Sequence, residues 1–539
     1  MQKRVFFFLI LIIATAAFFR WWHFSTIPPG LYPDEAMNGN NALEAIKTGN
    51  YKVFYPENNG REGLFINIQS LSVRIFGNEP WALRLVSTIF GILTVLGIFF
   101  LTRELFKKDS VALFASFFLA TSFWHINFSR IGFRAIMAPA FLVFSFWLLF
   151  KTINKTKNAN SNNQETNSEN WLLSLGDWLL PILSGLLFGL GFHSYIAYRI
   201  APLLLVLPFL LLIKNKNYKP IILFLLGAFI AGLPLGFYYL NNPQDFFGRT
   251  SQVSIFSTEF PLYELGKNIF LTIGMFFFSG DSNWRHNFAG APELWWPLAI
   301  SFLIGFIISI KKLRVMSYGL LIAWFVIMLL PVIISSEGIP HALRAIVIIP
   351  PTMIIAALGF NWLIEKINQQ LDARIIKFPD SKNQLLRIKK EGKILIFAVL
   401  FAIGLNTFSQ YFLRWAYNPN VYYAFAGNYA EIGRYLNKNQ NDAKKYVIIN
   451  ANGVDVRGVP MPSQTIMFLT DTFLQEQQRQ KNIYYILPQN LDIFIEVAKK
   501  EKNIEIYMLE IDNMLRKKLA DNISGLTTYP LDGVLMQKK

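Results

Sequence analysis

The segment RVFFFLILIIATAAFFRWW, residues 4–22, decides the fold class of this chain. Its apolar stretch begins after Arg4 and passes directly into Arg20-Trp21-Trp22. An uncharged run of this length can cross a bilayer, and tryptophan beside arginine is typical of the membrane–water interface. A cleaved signal peptide is the alternative, because Ala14-Thr15-Ala16 offers a cleavage site. We favour an uncleaved first transmembrane helix.

Apolar runs of similar length recur along the chain, which has 539 residues, 53% of them hydrophobic. A soluble protein of this size rarely has so much apolar sequence, because it would lack polar surface to cover it. We therefore predict an α-helical, polytopic membrane protein with about 11 transmembrane helices. The predicted spans cover residues 4–22, 81–101, 110–124, 136–151, 178–193, 200–213, 220–240, 295–310, 316–334, 345–363 and 393–411.

The net charge of +17 comes from basic residues that stand between the apolar runs. If the N-terminus lies inside, every inner loop carries lysine, as the positive-inside tendency requires. This spread, in a chain without nucleic-acid-binding motifs, argues against nucleic acid as a partner. The absence of cysteine excludes disulfides, thiolate metal sites and a cysteine nucleophile.

The polar segments divide the chain into a transmembrane module, residues 1–414, and a small outer α/β domain, residues 415–539. The module has two large outer loops, at residues 23–80 and 241–294. Asn154–Asn170 is rich in Asn, Lys, Ser and Glu, a composition that predicts a disordered inner linker.

Local patterns within these segments predict further elements. Asp34–Thr48 predicts a helix that ends before Gly49, and an apolar stripe from Leu64 to Ile75 predicts a helix lying in the membrane interface. The C-terminal domain has three short runs typical of strands, namely Tyr446–Asn450, Ile483–Leu487 and Ile504–Met508.

An acidic pair follows the first span, in Tyr32-Pro33-Asp34-Glu35. An acid just outside the membrane can act as a general base on a hydroxyl, so Asp34 and Glu35 are catalytic candidates. Neighbouring residues on a helix point about 100° apart, so only one of the two can reach a given atom. The alternative is that Asp34 caps the helix and Glu35 favours its N-terminal dipole, and the two roles can coexist.

Two further polar segments carry candidate binding residues, which could assist the acidic pair or bind a hydroxyl such as that of a sugar or an acceptor. Arg61 and Glu62 lie in a turn before the predicted interfacial helix, where a plain turn is the alternative. Asp281 and His286 lie in Gly280-Asp281-Ser282-Asn283-Trp284-Arg285-His286-Asn287. One Asp and one His are too few ligands for a metal, so we predict no metal site and no cofactor.

Three outer loops carry arginine, two of them with histidine, in a protein whose inner loops mostly use lysine. Guanidinium groups match phosphate oxygens in bidentate fashion, which favours a site for a phosphate group. Snorkelling of the arginines to lipid headgroups is the alternative. The candidate phosphate-binding residues are Arg130, Arg134, His193, Tyr195, Arg199, His341 and Arg344.

The order and sidedness of these motifs resemble the GT-C glycosyltransferases, and in particular the bacterial family 39 branch related to protein O-mannosyltransferases and the lipid A aminoarabinose transferase. The similar segments are Tyr32-Pro33-Asp34-Glu35, Asn59-Gly60-Arg61-Glu62, Ser129-Arg130-Ile131-Gly132-Phe133, Gly280-Asp281 with Arg285-His286-Asn287, and Pro340-His341-Ala342-Leu343-Arg344. The resemblance covers about residues 1–410.

The resemblance implies a glycosyltransferase that uses a polyprenyl-phosphate-linked sugar. It implies that Asp34 is the catalytic residue and that basic residues of the outer loops bind the lipid phosphate. It also implies a bacterial cytoplasmic membrane location, with the N-terminus inside and the C-terminal domain outside. The expected partners are the lipid-linked donor, membrane lipid and a protein, lipid or glycan acceptor. The alternatives are a transporter or flippase and a polymerase or ligase of lipid-linked glycans; the absence of internal repeats favours the enzyme over the transporter.

Overall fold

The computed structural model describes residues 2–161, 171–252, 254–377, 382–439, 441–529 and 535–538. The α-helices are α1 (Lys3–Trp21), α2 (Pro33–Thr48), α3 (Gly63–Phe76), α4 (Pro80–Phe106), α5 (Asp109–Ala120), α6 (Phe123–Ser129), α7 (Met137–Ser161), α8 (Trp171–Gly191), α9 (Val206–Lys214), α10 (Lys219–Asn241), α11 (Pro243–Gln252), α12 (Pro261–Gly274), α13 (Trp296–Lys311), α14 (Met316–Ile333), α15 (Ile349–Lys377), α16 (Lys382–Phe408), α17 (Pro419–Ala424), α18 (Gly427–Lys438), α19 (Gln464–Thr470), α20 (Gln475–Lys481), α21 (Leu491–Lys500) and α22 (Asn513–Asn522).

The strands are short and fewer. They are β1 (Phe54–Tyr55), β2 (Arg61–Glu62), β3 (Lys444–Ile448), β4 (Asp455–Val456), β5 (Val459–Pro460), β6 (Ile483–Ile486), β7 (Ile504–Met508), β8 (Leu526–Tyr529) and β9 (Leu535–Lys538). A 3₁₀ segment, Ile196–Leu205, precedes α9, and a π-helical segment, Ser409–Trp415, follows α16.

Within the described residues, eight helices are long and apolar enough to cross a membrane, and the bent pair α5–α6 makes a ninth. Two of the spans predicted from the sequence, at 178–193 and 295–310, correspond to the shorter apolar helices Asp177–Gly191 and Trp296–Lys311. The chain is a multi-span membrane protein. The predicted linker is helical up to Ser161, at the end of α7, and its residues 162–170 lie outside the described part.

Two glycines allow close contact between α13 and α15. A Cβ at Gly305 would lie 1.8 Å from the carbonyl oxygen of Ile355, and one at Gly359 would lie 1.9 Å from that of Ser301. Small residues at facing positions let helix backbones approach closely in a membrane, where helix association depends on van der Waals packing. Any larger side chain at either position would force these two helices apart.

The chain divides into two compact units. The transmembrane unit comprises Met1–Trp22 and Ser87–Trp415, and the loop–tail unit comprises His23–Val86 and Ala416–Lys539. The sequence predicts a module of residues 1–414 that includes the first loop, whereas the contacts group this loop with the C-terminal region. The reason is an apolar cluster shared by the two segments, formed by Leu31, Ala36, Val73, Leu83, Ala430, Phe468 and Leu469.

The loop–tail unit contains a five-stranded sheet with the order β6-β3-β7-β9-β8. The first three strands are parallel, and β9 runs antiparallel to both β7 and β8. Alternate residues of the strands enter two separate apolar clusters: Ile448 and Ile506 belong to one, and Val447 and Tyr507 belong to the other. Both faces of the sheet are therefore covered, which explains the continuous apolar runs in its parallel strands. The predicted C-terminal α/β region is confirmed.

Candidate functional site

The helix α2 begins at Pro33, one residue before the predicted start, so Asp34 stands in its first turn and the N-cap position belongs to Tyr32 instead of Asp34. Pro33 occupies the first helical position, where its missing N–H costs no hydrogen bond, and Gly49 ends the helix with a φ of 71°. The Asp34 carboxylate is partly exposed, and its Oδ1 accepts a hydrogen bond of 2.9 Å from the Nδ2 amide of Asn58. The residue is thus held from one side while part of its surface remains accessible.

Glu35, the second predicted catalytic acid, is fully buried and pairs with Arg84. The Arg84 guanidinium donates from Nε to Oε2 at 2.9 Å and from NH2 to Oε1 at 3.0 Å. It also donates to the carbonyl oxygens of Pro28 and Gly30. This arrangement fixes the segment before α2. It also gives the two acids different surroundings, because Glu35 is buried in an ion pair whereas Asp34 is partly exposed. The sequence carried a signal for Arg84, since it is a charge at the start of an apolar span.

Arg61 connects the turn before α3 to α2. Its guanidinium donates to the side-chain oxygen of Asn38 at 2.7 Å and to that of Asn41 at 2.6 Å, and the side chain is buried. Glu62 is also buried and pairs with Phe54 in the β1–β2 ladder. Both residues are therefore buried within the first loop and connect its parts. Their role in binding a sugar or acceptor stays a prediction.

Asp281, His286 and His341 meet in the transmembrane unit. The distance from Asp281 Oδ2 to Nδ1 of His286 is 2.9 Å and that to Nδ1 of His341 is 3.7 Å, and the imidazole rings stack at 4.8 Å. The backbone N–H of Ala342 donates to the same oxygen at 2.8 Å. The sequence placed these residues in two groups, one for the sugar or acceptor and one for the phosphate. The structure brings all three together.

The protonation states of this cluster follow from burial and from its own charges. Burial would raise the pKa of Asp281, but the hydrogen bond from His286 is the main cause that lowers it. Burial lowers the pKa of His286, and burial with the neighbouring positive groups holds the pKa of His341 well below its usual range. Near neutral pH the cluster is therefore a carboxylate with two neutral imidazoles.

This cluster can hold a divalent cation, because metal ligands must be deprotonated. Its three ligand atoms lie within 4.8 Å of one another. Ligand atoms on one zinc ion lie about 3.3 Å apart, so binding requires the side chains to move inward. The prediction of no metal counted only Asp281 and His286 as ligands, and His341 from a distant loop adds a third. Three protein ligands and one open position are typical of catalytic zinc sites.

Glu293 is a buried acid that the sequence analysis missed. Burial and then the charge of Asp281 raise the pKa of Glu293 well above its usual range, which favours the neutral carboxylic acid. Its Oε1 accepts a long hydrogen bond of 3.4 Å from the backbone N–H of Asp281. In the sequence this glutamate follows Ala-Pro and gives no sign of burial.

Arg130, a predicted phosphate ligand, binds the carboxyl end of α1. It is fully buried and donates to the carbonyl oxygens of Phe19 at 3.1 Å and Trp22 at 2.7 Å. Arg20, on α1 itself, is equally buried and donates to the carbonyl of Ala120 at the end of α5. Helix carboxyl ends carry partial negative charge, so these arginines stabilise the carboxyl ends of α1 and α5. Arg20 was assigned only to an interface anchor.

Of the other predicted phosphate ligands, Arg344 adjoins the Asp281–His286–His341 cluster, because its backbone N–H donates to Nδ1 of His341 at 3.4 Å. Arg344 donates to the side chain of Ser335 and to the backbone and carboxylate of Glu337. Arg134 lies 6.0 Å from the ring centre of Tyr195, and His193 Nε2 lies 2.9 Å from a backbone carbonyl oxygen of α10.

Arg199 borders an apolar cavity of about 530 Å³ that is lined by α10 and aromatic side chains. It donates to the hydroxyl of Tyr239 at 3.0 Å and to the carbonyl of Phe246 at 2.5 Å, and its guanidinium lies 4.3 Å from the centre of the Phe246 ring. These contacts fix the arginine at the cavity wall. The phosphate-binding role of this residue and of the other six candidates stays a prediction.

Residues 64–161, from α3 through α7, match the family model of dolichyl-phosphate-mannose-protein mannosyltransferases. No curated protein sequence matches significantly. The matched stretch includes Arg84 and Arg130 but ends before the Asp281–His286–His341 cluster.

Solved structures resemble the chain over nearly its whole length. The crystal structure of ArnT from Cupriavidus metallidurans bound to undecaprenyl phosphate has a TM-score of 0.61 and 13% identity, over 98% of this chain and 97% of its own. The same protein in the apo state has a TM-score of 0.58 and 12% identity, with the same coverage of both chains.

A third structure is the oligosaccharyltransferase AglB from Archaeoglobus fulgidus, in complex with an inhibitory peptide and a dolichol-phosphate. Its TM-score is 0.52 at 13% identity, over 92% of this chain and 71% of its own. The chain has the GT-C fold. The GT-C resemblance that the motifs predicted is thus confirmed at the level of the fold.

Proposed function

We propose that this chain is a membrane glycosyltransferase that moves a sugar from a polyprenyl-phosphate-linked donor to an acceptor hydroxyl, with inversion at the anomeric carbon. The GT-C fold supports the transfer activity. The similar structures of ArnT and AglB hold undecaprenyl phosphate and dolichol phosphate, respectively, which supports a lipid phosphate as the carrier here. The proposed location is the bacterial inner membrane, with the N-terminus inside and the catalytic loop and C-terminal region outside.

Asp34 is the proposed general base. The observation that carries this assignment is the contrast between the two acids. Both oxygens of the Glu35 carboxylate accept hydrogen bonds from Arg84, whereas Asp34 is partly exposed and is oriented by Asn58. In the reaction, Asp34 takes the proton of the acceptor hydroxyl while the hydroxyl oxygen bonds to the anomeric carbon. The bond from that carbon to the phosphate oxygen breaks, and the lipid phosphate leaves with the electron pair. General-base assistance contributes about 10²–10⁴-fold to such a step.

Arginines of the loops following α6, α8 and α14 are proposed to stabilise the leaving phosphate. Arg134 and Arg344 are partly exposed and stand outside the membrane-spanning helices or at their ends. A guanidinium held in place before the reaction stabilises charge as it develops, without the cost of reorganising at that moment. The reaction so written needs no metal for its charge balance.

The test is transfer by the purified full-length chain from a panel of radiolabelled undecaprenyl-phosphate hexoses and pentoses, with membrane extract as the source of acceptor. Asp34→Asn should lower turnover at least 100-fold, in line with the loss of a base. Asp442→Asn, which removes an exposed aspartate of the same unit, should leave turnover unchanged. Near-normal turnover by Asp34→Asn would remove the base assignment.

The same preparations separate an enzyme from a flippase. In proteoliposomes, a flippase would move the labelled lipid between leaflets without forming a new product, and it would do so equally well with Asn at position 34. Labelled product that depends on Asp34 supports transfer, and lipid movement without product supports the flippase.

A further inference from the structure

Arg457 lies at the tip of a two-residue hairpin in the C-terminal segment. In the β4–β5 pair Val456 faces Val459, so the turn consists of Arg457 and Gly458, with φ values of 54° and 83°. Two-residue turns with both φ positive favour Asn and Gly, and an arginine in this conformation is uncommon. A residue that occupies an unfavourable backbone position suggests that its side chain has a role.

The Arg457 guanidinium bridges two carboxylates of the first loop. It donates to both oxygens of Glu44, on α2, at 2.9 Å each, and to Oε1 of Glu57 at 2.6 Å from NH2 and 3.2 Å from Nε. The ring of Phe473 lies 4.9 Å from the guanidinium carbon. The two acids are partly buried and the Arg457 side chain is exposed, so it is the bidentate, two-acid geometry that distinguishes this network from an ordinary surface ion pair.

Glu57 opens the turn that carries Asn58. Its backbone carbonyl accepts from the N–H of Gly60 and from Nε of Arg61, each at 3.3 Å. Asn58, Asn59 and Gly60 follow one another with positive φ values of 52°, 62° and 80°. Such a turn persists only where its surroundings hold it. Arg457 holds its first residue, and the next residue donates to Asp34.

We propose that Arg457 is a positioning residue for the reaction: it clamps Glu57 to Glu44 and so fixes the turn from which the Asn58 amide orients the Asp34 carboxylate. This inference rests on the proposed function, because it gives Asp34 the catalytic role. Without the guanidinium, Glu44 and Glu57 repel each other and the Glu57 end of the turn moves away from α2, while Arg61 keeps the other end attached. A small displacement of a catalytic group costs up to about 100-fold in rate, whereas substrate binding elsewhere is untouched.

The test compares Arg457→Gln with Arg434→Gln in the full-length protein, since Arg434 is an exposed arginine of the same unit. Amide hydrogen exchange gives a readout that does not depend on activity. The peptide covering residues 54–62 should exchange at least fivefold faster in Arg457→Gln and unchanged in Arg434→Gln, because a released turn opens more often. Equal protection in both variants would overturn the clamp.

Kinetics with the labelled lipid donors give the second readout. Arg457→Gln should lower kcat about tenfold with KM unchanged, and Arg457→Lys should recover part of the loss, because an ammonium can pair with one carboxylate but not bridge both. In a protein that already carries Asn58→Asp, Arg457→Gln should cause no further loss of kcat, because the orientation of Asp34 by Asn58 is already lost. Full additivity of the two substitutions, or a rise in KM alone, would overturn the positioning role.

The two proposals fail separately. If Asp34→Asn keeps its turnover, the base assignment falls whatever happens at position 457. If Asp34→Asn loses turnover but Arg457→Gln behaves like Arg434→Gln in exchange and kinetics, only the clamp is removed.

Discussion

The Nδ2 amide of Asn58 donates to Oδ1 of Asp34 across 2.9 Å, and this contact joins a strained turn to the first turn of α2. The two residues are 24 positions apart in the chain. An amide donor favours a carboxylate in one orientation and leaves its second oxygen for other partners. The contact thus gives Asp34 a defined direction.

Replacing this donor with an acceptor should impair turnover. Asn58→Asp keeps the size of the side chain and tolerates the positive φ, but it sets a second carboxylate against Asp34. We expect kcat for sugar transfer to fall by at least tenfold at neutral pH. The matched control is Asn59→Asp, which adds the same charge at the exposed neighbouring position and should retain activity. Equal losses in both variants would indicate a general charge effect.

Breaking the buried Arg84–Glu35 pair should destabilise the protein. Arg84→Met leaves the Glu35 carboxylate buried without its partner, and removing one member of such a pair costs about 3–5 kcal/mol. We expect a clear decrease in melting temperature, measured by intrinsic fluorescence in detergent. Arg84→Met with Glu35→Gln should be less damaging than Arg84→Met alone. Lys47→Met, which breaks the exposed pair with Asp471, should have little effect.

The Asp281–His286–His341 cluster should bind zinc. We expect protein dialysed against zinc and then against buffer to retain about one ion per chain by mass spectrometry of the metal, and His341→Ala to lose it. His193→Ala, which removes a histidine bonded to a backbone carbonyl, should retain the ion. Because the pKa values of His286 and His341 lie below the usual value, binding should persist to a pH below about 6.5 before protons displace the metal. Loss of zinc from both variants alike would contradict the site.

Neutralising Glu293 should stabilise the protein at alkaline pH. The folded-state pKa of this acid is raised, so the native state is favoured below the unfolded pKa and loses stability as pH rises through the folded pKa. Glu293→Gln removes that loss, and its melting temperature should exceed that of the wild type at pH 8 but not at pH 4. Glu259→Gln, at an exposed position, should melt like the wild type at both pH values. If the melting temperatures of the wild type and of Glu293→Gln change with pH in the same way, Glu293 ionises in the folded protein without loss of stability, which contradicts the prediction.

The sequence predicted elements that depend on local pattern. Run length and hydropathy identified the membrane helices, and the Gly49 end of α2 was evident from capping preferences, whereas the helix begins at Pro33, one residue before the predicted start. The strands of the C-terminal region could be located from short apolar runs between turn residues. The predicted spans at 178–193 and 295–310 show the limit of this approach, because their helices do not coincide with the predicted ends.

Contacts between distant residues could not be predicted in the same way. Arg84 pairs with Glu35 across 49 positions, and the N–H of Ala342 reaches Asp281 across 61, and no local pattern contains such pairings. The sequence therefore shows neither the ion pair of Glu35 nor the proximity of His341 to Asp281, and the catalytic role of Glu35 stays a prediction. Burial of Glu293 likewise depends on how the segment before α13 folds back, which a single sequence does not reveal.

The loop–tail unit is assembled from segments that leave the ribosome at very different times. His23–Val86 is synthesised early, and its partner Ala416–Lys539 follows only after the intervening Ser87–Trp415 has been translated. Until then Leu31 and Val73 lack the apolar neighbours that Phe468 supplies. A nascent chain stalled before residue 416 would therefore lack the apolar contacts that Ala430, Phe468 and Leu469 give to the segment bearing Asp34.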